Sequence, residues 1–165
     1  MVRMGELAAS AGSADVLVSL GLGSCIGLAL VDRRTRVAGL AHVVLPESEG
    51  HATGQNRMKF ADHAVPELVT RVVRLGARKP KLEAVLVGGA SMFAVTSGTL
   101  EVGQRNEAAV REQLKAQRIP VIAAETGGNR GRTIRVHLSD MRVTVREAGG
   151  TEANLVDPQP VAVAA

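Results

Sequence analysis

The chain of 165 residues contains a single cysteine, Cys25, within the segment Gly23-Ser24-Cys25-Ile26-Gly27. This segment has the glycine spacing of a nucleophile elbow, with cysteine at the nucleophile position. Glycines let a turn adopt unusual backbone angles and leave amide groups uncovered, and such amides can stabilise a developing oxyanion. A true elbow continues into a helix, whereas residues 28–32 have the pattern of a strand. The analogy therefore stops at the spacing, and a small buried structural cysteine is the alternative.

A cysteine nucleophile needs a base, usually histidine, and a group that orients that base. The four candidates are His42, His51, His63 and His137. His42 follows a hairpin-sized connection after the strand that starts near Cys25, so a hairpin would bring the two together. A structural histidine held by one hydrogen bond is the alternative for His42, and we expect the other three to be structural or on the surface. The spacings match no zinc pattern, so we expect no metal or cofactor.

The charge and the aromatic content of the chain bear on whether it binds nucleic acid. The formal charge is +4, and 16 of the 20 cationic residues are Arg, but they are spread along the chain. Only 1% of residues are aromatic, which disfavours the stacking platforms of single-strand binders. We expect no nucleic-acid binding and favour an acidic protein partner.

The sequence has no apolar run of about 18 residues and no signal-peptide pattern. Together with the lone cysteine, this predicts a cytoplasmic protein without membrane insertion. Nothing indicates an obligate dimer, so we expect a monomer.

The hydrophobic pattern predicts seven strands and two main helices. The strands are predicted over residues 16–20, 28–32, 37–44, 82–87, 120–124, 132–138 and 141–146. One helix is predicted within 58–75, with Pro66 kinking or dividing it and Gly76 ending it. The other is predicted over about 106–117, with Asn106 as its N-cap.

The order of these elements decides the fold class. Strands and helices do not alternate regularly, which disfavours a doubly wound fold. We therefore predict an α+β protein, a layered mixed β-sheet or sandwich of about seven strands with the two helices packed outside. Residues 1–150 are expected to form a single domain, and residues 151–165, which lose the hydrophobic pattern, a flexible C-terminal tail.

Five short segments occur in order along the chain: LGLGSC, AHVVLPES, FADHAV, GGASMF and ETGGNRGR. Together, over about residues 5–150, they resemble the CheD family of bacterial chemotaxis proteins, which deamidate glutamines of chemoreceptors. The resemblance implies a hydrolase of carbon–nitrogen bonds, a protein-glutamine glutaminase, with Cys25 as nucleophile and His42 as base. The third member of the family's site is Thr, and here it is Ser19. Serine keeps the hydroxyl but loses the methyl that restricts its rotamer.

The resemblance also implies a pocket and partners. From the placement of the glycines, the backbone amides over residues 23–25, those of Gly23 and Ser24 among them, are the oxyanion candidates. Gly89, in the turn of residues 88–91, either walls the pocket or marks a tight strand exit. The substrate would be cytoplasmic helices of chemoreceptors. A CheC-type phosphatase is the second implied partner. A weakly catalytic or non-catalytic adaptor that binds receptors and such a phosphatase is the alternative function.

Overall fold

The structure is a computed structural model that describes residues 1–51, 54, 56–91 and 101–160. These residues form nine strands and two α-helices, with short 3₁₀ helices at Arg57–Lys59 and Lys79–Lys81. The strands are β1 (Leu7–Ser10), β2 (Val16–Leu22), β3 (Ile26–Asp32), β4 (Val37–Val43), β5 (Glu83–Gly88), β6 (Val121–Thr126), β7 (Arg132–His137), β8 (Arg142–Glu147) and β9 (Glu152–Val156). The helices are α1 (Ala61–Arg74) and α2 (Val102–Ala116).

The strands form two sheets. The five-stranded sheet has the order β1-β4-β3-β5-β6, and the four-stranded sheet has the order β2-β7-β8-β9. All pairs are antiparallel except β5 with β6. The two sheets, of which the five-stranded one is mixed, and the two helices confirm the predicted α+β class. Neither described helix is long and apolar enough to cross a membrane.

Strands β3 and β4 are buried along their whole length because apolar layers cover both faces of their sheet. Alternate residues point to opposite faces of a strand. Leu28 and Leu30 pack with the helices, through residues such as Leu68 and Leu114. Ala29 and Val31 face the four-stranded sheet and join a second core with Ile134 and Val136. The order of layers is therefore helices, five-stranded sheet, four-stranded sheet.

Two strands were absent from the sequence prediction, and both lie at sheet edges. Strand β1 reads Leu-Ala-Ala-Ser, is half-buried and pairs with β4. Strand β9 pairs with β8 and buries only Val156. The prediction of a patternless tail is thus wrong for Glu152–Val156, since an edge strand is held by backbone hydrogen bonds and needs little apolar alternation. Residues 161–165 of the predicted tail lie outside the described residues.

The helices also differ from their predictions. Helix α1 is continuous through Pro66, so the proline does not divide it, and Gly76 follows its end with a φ of 108°. Helix α2 begins at Val102, with Glu101 at the N-cap position. Asn106 is therefore not the N-cap; it lies inside the helix and is fully buried. The extra turn has little apolar character, and its close contact is made by a glycine, Gly103, with the turn that follows β5.

Candidate active site

Ser19 reaches the space between the sheets from the regular part of β2, on the same face as the buried Leu17. Ser19 and Leu22 are three residues apart, so a regular strand would point them to opposite faces. The pairing of β2 with β7 shifts between these residues, and Gly21 there has a φ of 67°. As a result both Ser19 and Leu22 are fully buried. The shift at Leu20-Gly21 thus returns Leu22 to the buried face, whereas Ser19 faces the five-stranded sheet by the regular alternation of β2.

His42 meets this hydroxyl from strand β4 of the other sheet. Its Nδ1 lies 2.8 Å from Ser19 Oγ, and the imidazole residue is 2% exposed. Ser19 Oγ also donates a hydrogen bond of 2.9 Å to the carbonyl of Val2. A hydroxyl has one proton to donate, so Ser19 must accept the second bond from the Nδ1–H of His42. Nε2 is then the unprotonated nitrogen, and it has no hydrogen-bond partner among the described residues.

The first residues of the chain hold His42 in this place. The Val2 amide donates to the Val18 carbonyl at 2.7 Å. The Gly5 amide donates to the His42 carbonyl at 3.0 Å, and the His42 amide donates to the Glu6 carbonyl at 3.1 Å. We call residues 2–6 the strap. The strap fixes the His42 backbone on both sides and supplies the carbonyl that ends the hydrogen-bond chain.

Cys25 stands at the entrance of β3, beside His42. Gly27 is the register partner of His42, and Cys25 precedes Gly27 by two residues. Because side chains alternate along a strand, Cys25 and His42 project from the same face as diagonal neighbours. Cys25 is 8% exposed and packs in the core between the sheets. The structure thus brings together on one face the cysteine and the histidine that the sequence selected.

The backbone around Cys25 is fixed by the turn that follows β5. The Gly89 amide donates to the Cys25 carbonyl at 2.9 Å, and the Ala90 amide donates to the Gly23 carbonyl at 2.8 Å. Gly88 has a φ of 116°, and a Cβ there would lie 2.1 Å from the Cys25 oxygen. Glycine is therefore required for this approach. The motif GGASMF is described only as far as Ser91.

These bonds also determine which amides are free to receive an oxyanion. The Gly23 amide donates to the Gly21 carbonyl, and the Gly89 amide is occupied by Cys25. Gly23 and Gly89 therefore hold the loop instead of facing a substrate with their N–H groups. In the described part of the chain, the amides of Ser24 and Cys25 have no backbone acceptor.

Burial opposes the charged forms of both reactive groups. Burial raises the pKa of the Cys25 thiol, and the residue's own amide only partly offsets this. Burial lowers the pKa of His42, against the opposing effects of the Val2 carbonyl and the Glu6 charge. Near neutral pH the resting pair is therefore a neutral thiol and a neutral imidazole. Such a histidine is ready to accept a proton.

Asn106 lies near the site, although the sequence predicts it to be a helix N-cap. Asn106, on α2, donates from Nδ2 to the carbonyls of Ser24 at 2.9 Å and Val44 at 2.8 Å. Its position on the buried stripe with Val110 and Leu114 was the available signal, since a buried amide needs partners. The Val2 carbonyl had no such signal, because a backbone group carries no information in the residue type.

The other histidines lie elsewhere. His51 is exposed and its ring centroid lies 4.8 Å from that of Phe60. His63 contacts the Ser48 hydroxyl at 3.0 Å, and His137 lies 3.5 Å from the Thr144 hydroxyl. Within the described ranges, no group of three or more His, Cys, Asp or Glu could hold a metal ion.

The site combines a cysteine, a histidine with a free Nε2, a hydroxyl that orients this histidine, and uncovered backbone amides. These are the parts of a cysteine-dependent hydrolase site.

Comparison with known proteins identifies the family. The family model described as "CheD chemotactic sensory transduction" matches residues 44–147. A "Probable chemoreceptor glutamine deamidase CheD" of Clostridium botulinum (strain Eklund 17B / Type B) is 42% identical over 139 residues, 83% of this chain and 86% of the relative. A second relative with the same name, from strain Okra / Type B1, is 44% identical over 137 residues, which are 82% of this chain and 85% of the relative. This chain belongs to the CheD family.

Proposed function

We propose that this chain is a chemoreceptor glutamine deamidase, a hydrolase that converts glutamine side chains of receptors to glutamate. Cys25 is the nucleophile, His42 the general base and Ser19 the group that orients His42. The observation that carries this proposal is the bond between Ser19 Oγ and His42 Nδ1, which leaves Nε2 unprotonated on the face that Cys25 shares. Relatives named as probable chemoreceptor glutamine deamidases support the substrate.

The reaction begins from the neutral pair. His42 Nε2 takes the thiol proton while the Cys25 sulfur attacks the carboxamide carbon of glutamine. The proton then passes from the imidazolium to the amide nitrogen, ammonia leaves, and a thioester remains. A water molecule gives a proton to His42 and attacks the thioester. The tetrahedral intermediate collapses, the sulfur recovers its proton, and glutamate is released.

The negative oxygen of each tetrahedral intermediate needs hydrogen-bond donors. The Ser24 and Cys25 amides are the donors we assign, because the neighbouring Gly23 and Gly89 amides are occupied by the loop itself. Preorganised amides of this kind contribute on the order of 10²–10³ in rate. Gly23 and Gly89 contribute indirectly, since their bonds fix the loop on which those donors lie.

The substrate, partners and location belong to the same proposal. Receptor helices rich in Glu and Gln are acidic, and a chain with a formal charge of +4 attracts them. Because the substrate segments are cytoplasmic, we place the enzyme in the cytoplasm as a single monomeric domain that includes β9 and so extends beyond residue 150. A CheC-type phosphatase is proposed as a second partner.

The rival function is an adaptor that binds receptors without turnover. Its only support was serine in place of the family's threonine, because serine is less restricted in rotamer. In the structure the Ser19 hydroxyl is fully buried and bonded on two sides, to Val2 and His42. The missing methyl is thus compensated, and the enzyme is the better supported function.

The experiment is to incubate the protein with a purified chemoreceptor cytoplasmic fragment and to measure ammonia and the glutamine-to-glutamate mass shift of its peptides. We expect both signals with the wild type and with His51→Ala, a matched histidine control. We expect neither with Cys25→Ala or His42→Ala. Wild-type protein that is retained on the receptor without any mass shift would favour the adaptor instead.

A further inference from the structure

Helix α2 contacts the loop that carries Cys25 through its first two turns. Gly103 lies against the turn after β5, where an added Cβ would be 2.5 Å from the Gly89 oxygen and 2.8 Å from the Ala90 oxygen. One turn further along, the fully buried Asn106 reaches the loop itself. The absence of a side chain at Gly103 thus lets the helix approach closely enough for Asn106 to act.

Asn106 joins the two chain segments that carry the reactive groups. Its Nδ2 donates to the carbonyl of Ser24, which directly precedes Cys25, and to that of Val44, which lies two residues after His42. The pairing of β3 with β4 ends at Ile26 and Val43. Beyond this last pair no ladder bond holds the strands together at the level of Cys25. The two bonds of Asn106 hold the segments together where the ladder stops.

We propose that Asn106 is a positioning residue that sets the separation of Cys25 from His42. The inference rests on the proposed function of these two residues. A primary amide is suited to the task because one nitrogen offers two donors without charge. The Asn106 Oδ1 is buried and has no partner among the described residues. An unpaired buried acceptor is unfavourable for stability, so the residue is better explained by its two bonds to the site than by packing.

The test uses three substitutions and a purified chemoreceptor cytoplasmic fragment as substrate. Asn106→Asp keeps the volume but turns oxygen toward two carbonyls, Asn106→Ala removes both donors, and Asn106→Ser retains one. We expect kcat to fall by about 100-fold for Asp and Ala and less for Ser. A displacement of Cys25 relative to His42 by about 1 Å has an effect of this size. We expect KM to change by less than about threefold, since receptor contacts are untouched.

A second readout reports on the reactive pair without substrate. The rate of Cys25 alkylation by iodoacetamide is measured against pH. If Asn106 sets the separation, its loss hinders transfer of the thiol proton to His42 Nε2, and the alkylation rate near neutral pH falls for Asp and Ala. A purely structural residue would leave this rate unchanged.

Val110→Ala is the matched control, because Val110 is fully buried on the same stripe of α2 but has no bond to the loop. We expect it to lower the free energy of unfolding while kcat and the alkylation profile remain those of the wild type. The proposal is overturned if the Asn106 variants keep wild-type kcat and alkylation, or if Val110→Ala loses as much activity at equal stability. If Asn106→Ala does not fold, the Asn106→Ser and Asn106→Asp variants test the proposal by the same criteria. An active Cys25→Ala protein would instead contradict the proposed function.

Discussion

Ser19 and His42 belong to different β-sheets, yet Ser19 Oγ and His42 Nδ1 are 2.8 Å apart. The Val2 carbonyl accepts the remaining proton of the hydroxyl. This chain of two hydrogen bonds determines the tautomer of the imidazole and leaves Nε2 as its basic atom. The contact between the sheets is therefore also the contact that prepares the base.

Ser19→Ala is expected to lower kcat by about 10²-fold while the protein stays folded, because His42 loses the acceptor that fixes its tautomer. Ser19→Thr keeps the hydroxyl and restricts its rotamer, so we expect activity within about threefold of the wild type. Deamidation of a receptor fragment, followed by mass spectrometry, measures both. Equal activity of the Ala variant and the wild type would remove Ser19 from the mechanism.

Deletion of residues 1–4 removes the Val2 carbonyl and is expected to lower kcat to the level of Ser19→Ala. Because both changes break the same hydrogen-bond chain, the deletion in the Ser19→Ala background should cause little further loss. Met4→Ala, which changes an exposed side chain and keeps the backbone, is the control. Losses that multiply in the combined variant would show that the strap acts by another route.

The pH dependence of kcat/KM should show its acid limb below the ordinary histidine pKa of about 6.5. His42 must be neutral to accept the thiol proton, and burial lowers its pKa, so the enzyme stays active to lower pH than an exposed histidine would allow. Burial raises the pKa of Cys25, which moves the alkaline limb upward and widens the plateau. An acid limb at or above the ordinary histidine value would contradict this assignment.

A substitution at Glu6 provides a second test of the acid limb of the kcat/KM profile. Its charge raises the pKa of His42, against the larger effect of burial. Glu6→Gln should therefore move the acid limb to still lower pH. Since Glu6 is exposed, added salt should shift the wild-type limb in the same direction and the Gln variant less. A shift of the opposite sign would contradict the predicted direction.

Gly88→Ala is expected to destabilise the fold by several kcal/mol, of which about 1–2 kcal/mol is the cost of a left-handed residue. The rest arises because the added Cβ would lie 2.1 Å from the Cys25 carbonyl oxygen. Gly149→Ala is the matched control, since Gly149 has a φ of 78° but nothing within 4 Å of an added Cβ. Urea unfolding of both variants measures the difference. Equal destabilisation would mean that the contact with Cys25 is unimportant.

The pairing of Cys25 with His42 could be predicted because both lie on one hairpin, whose length and apolar pattern fix the register. Ser19 could be selected only through the family resemblance, since its contact crosses between sheets. The amphipathic helix α1 was predicted near its observed bounds for the same reason as the hairpin, its strong local periodicity. Local patterns thus predict neighbours along the chain and miss contacts between layers.

The errors have a common physical cause. Asn106 was assigned as an N-cap because asparagine favours that position locally, whereas the observed helix starts earlier, where Gly103 packs on another segment. Strands β1 and β9 were missed because edge strands are stabilised by backbone pairing more than by side-chain burial. Tertiary contacts therefore override local preference at the places where α2 and the edge strands meet the sheets.

The most direct test of the central claim uses the fact that Cys25 is the only cysteine in the chain. The free thiol content of a sample therefore equals its content of unmodified Cys25. Samples alkylated to different extents with iodoacetamide are assayed for deamidation of a chemoreceptor fragment. We predict that activity falls in direct proportion to the remaining thiol and reaches zero when none is left. Deamidation that persists in fully alkylated, folded protein would contradict the assignment of Cys25 as the nucleophile.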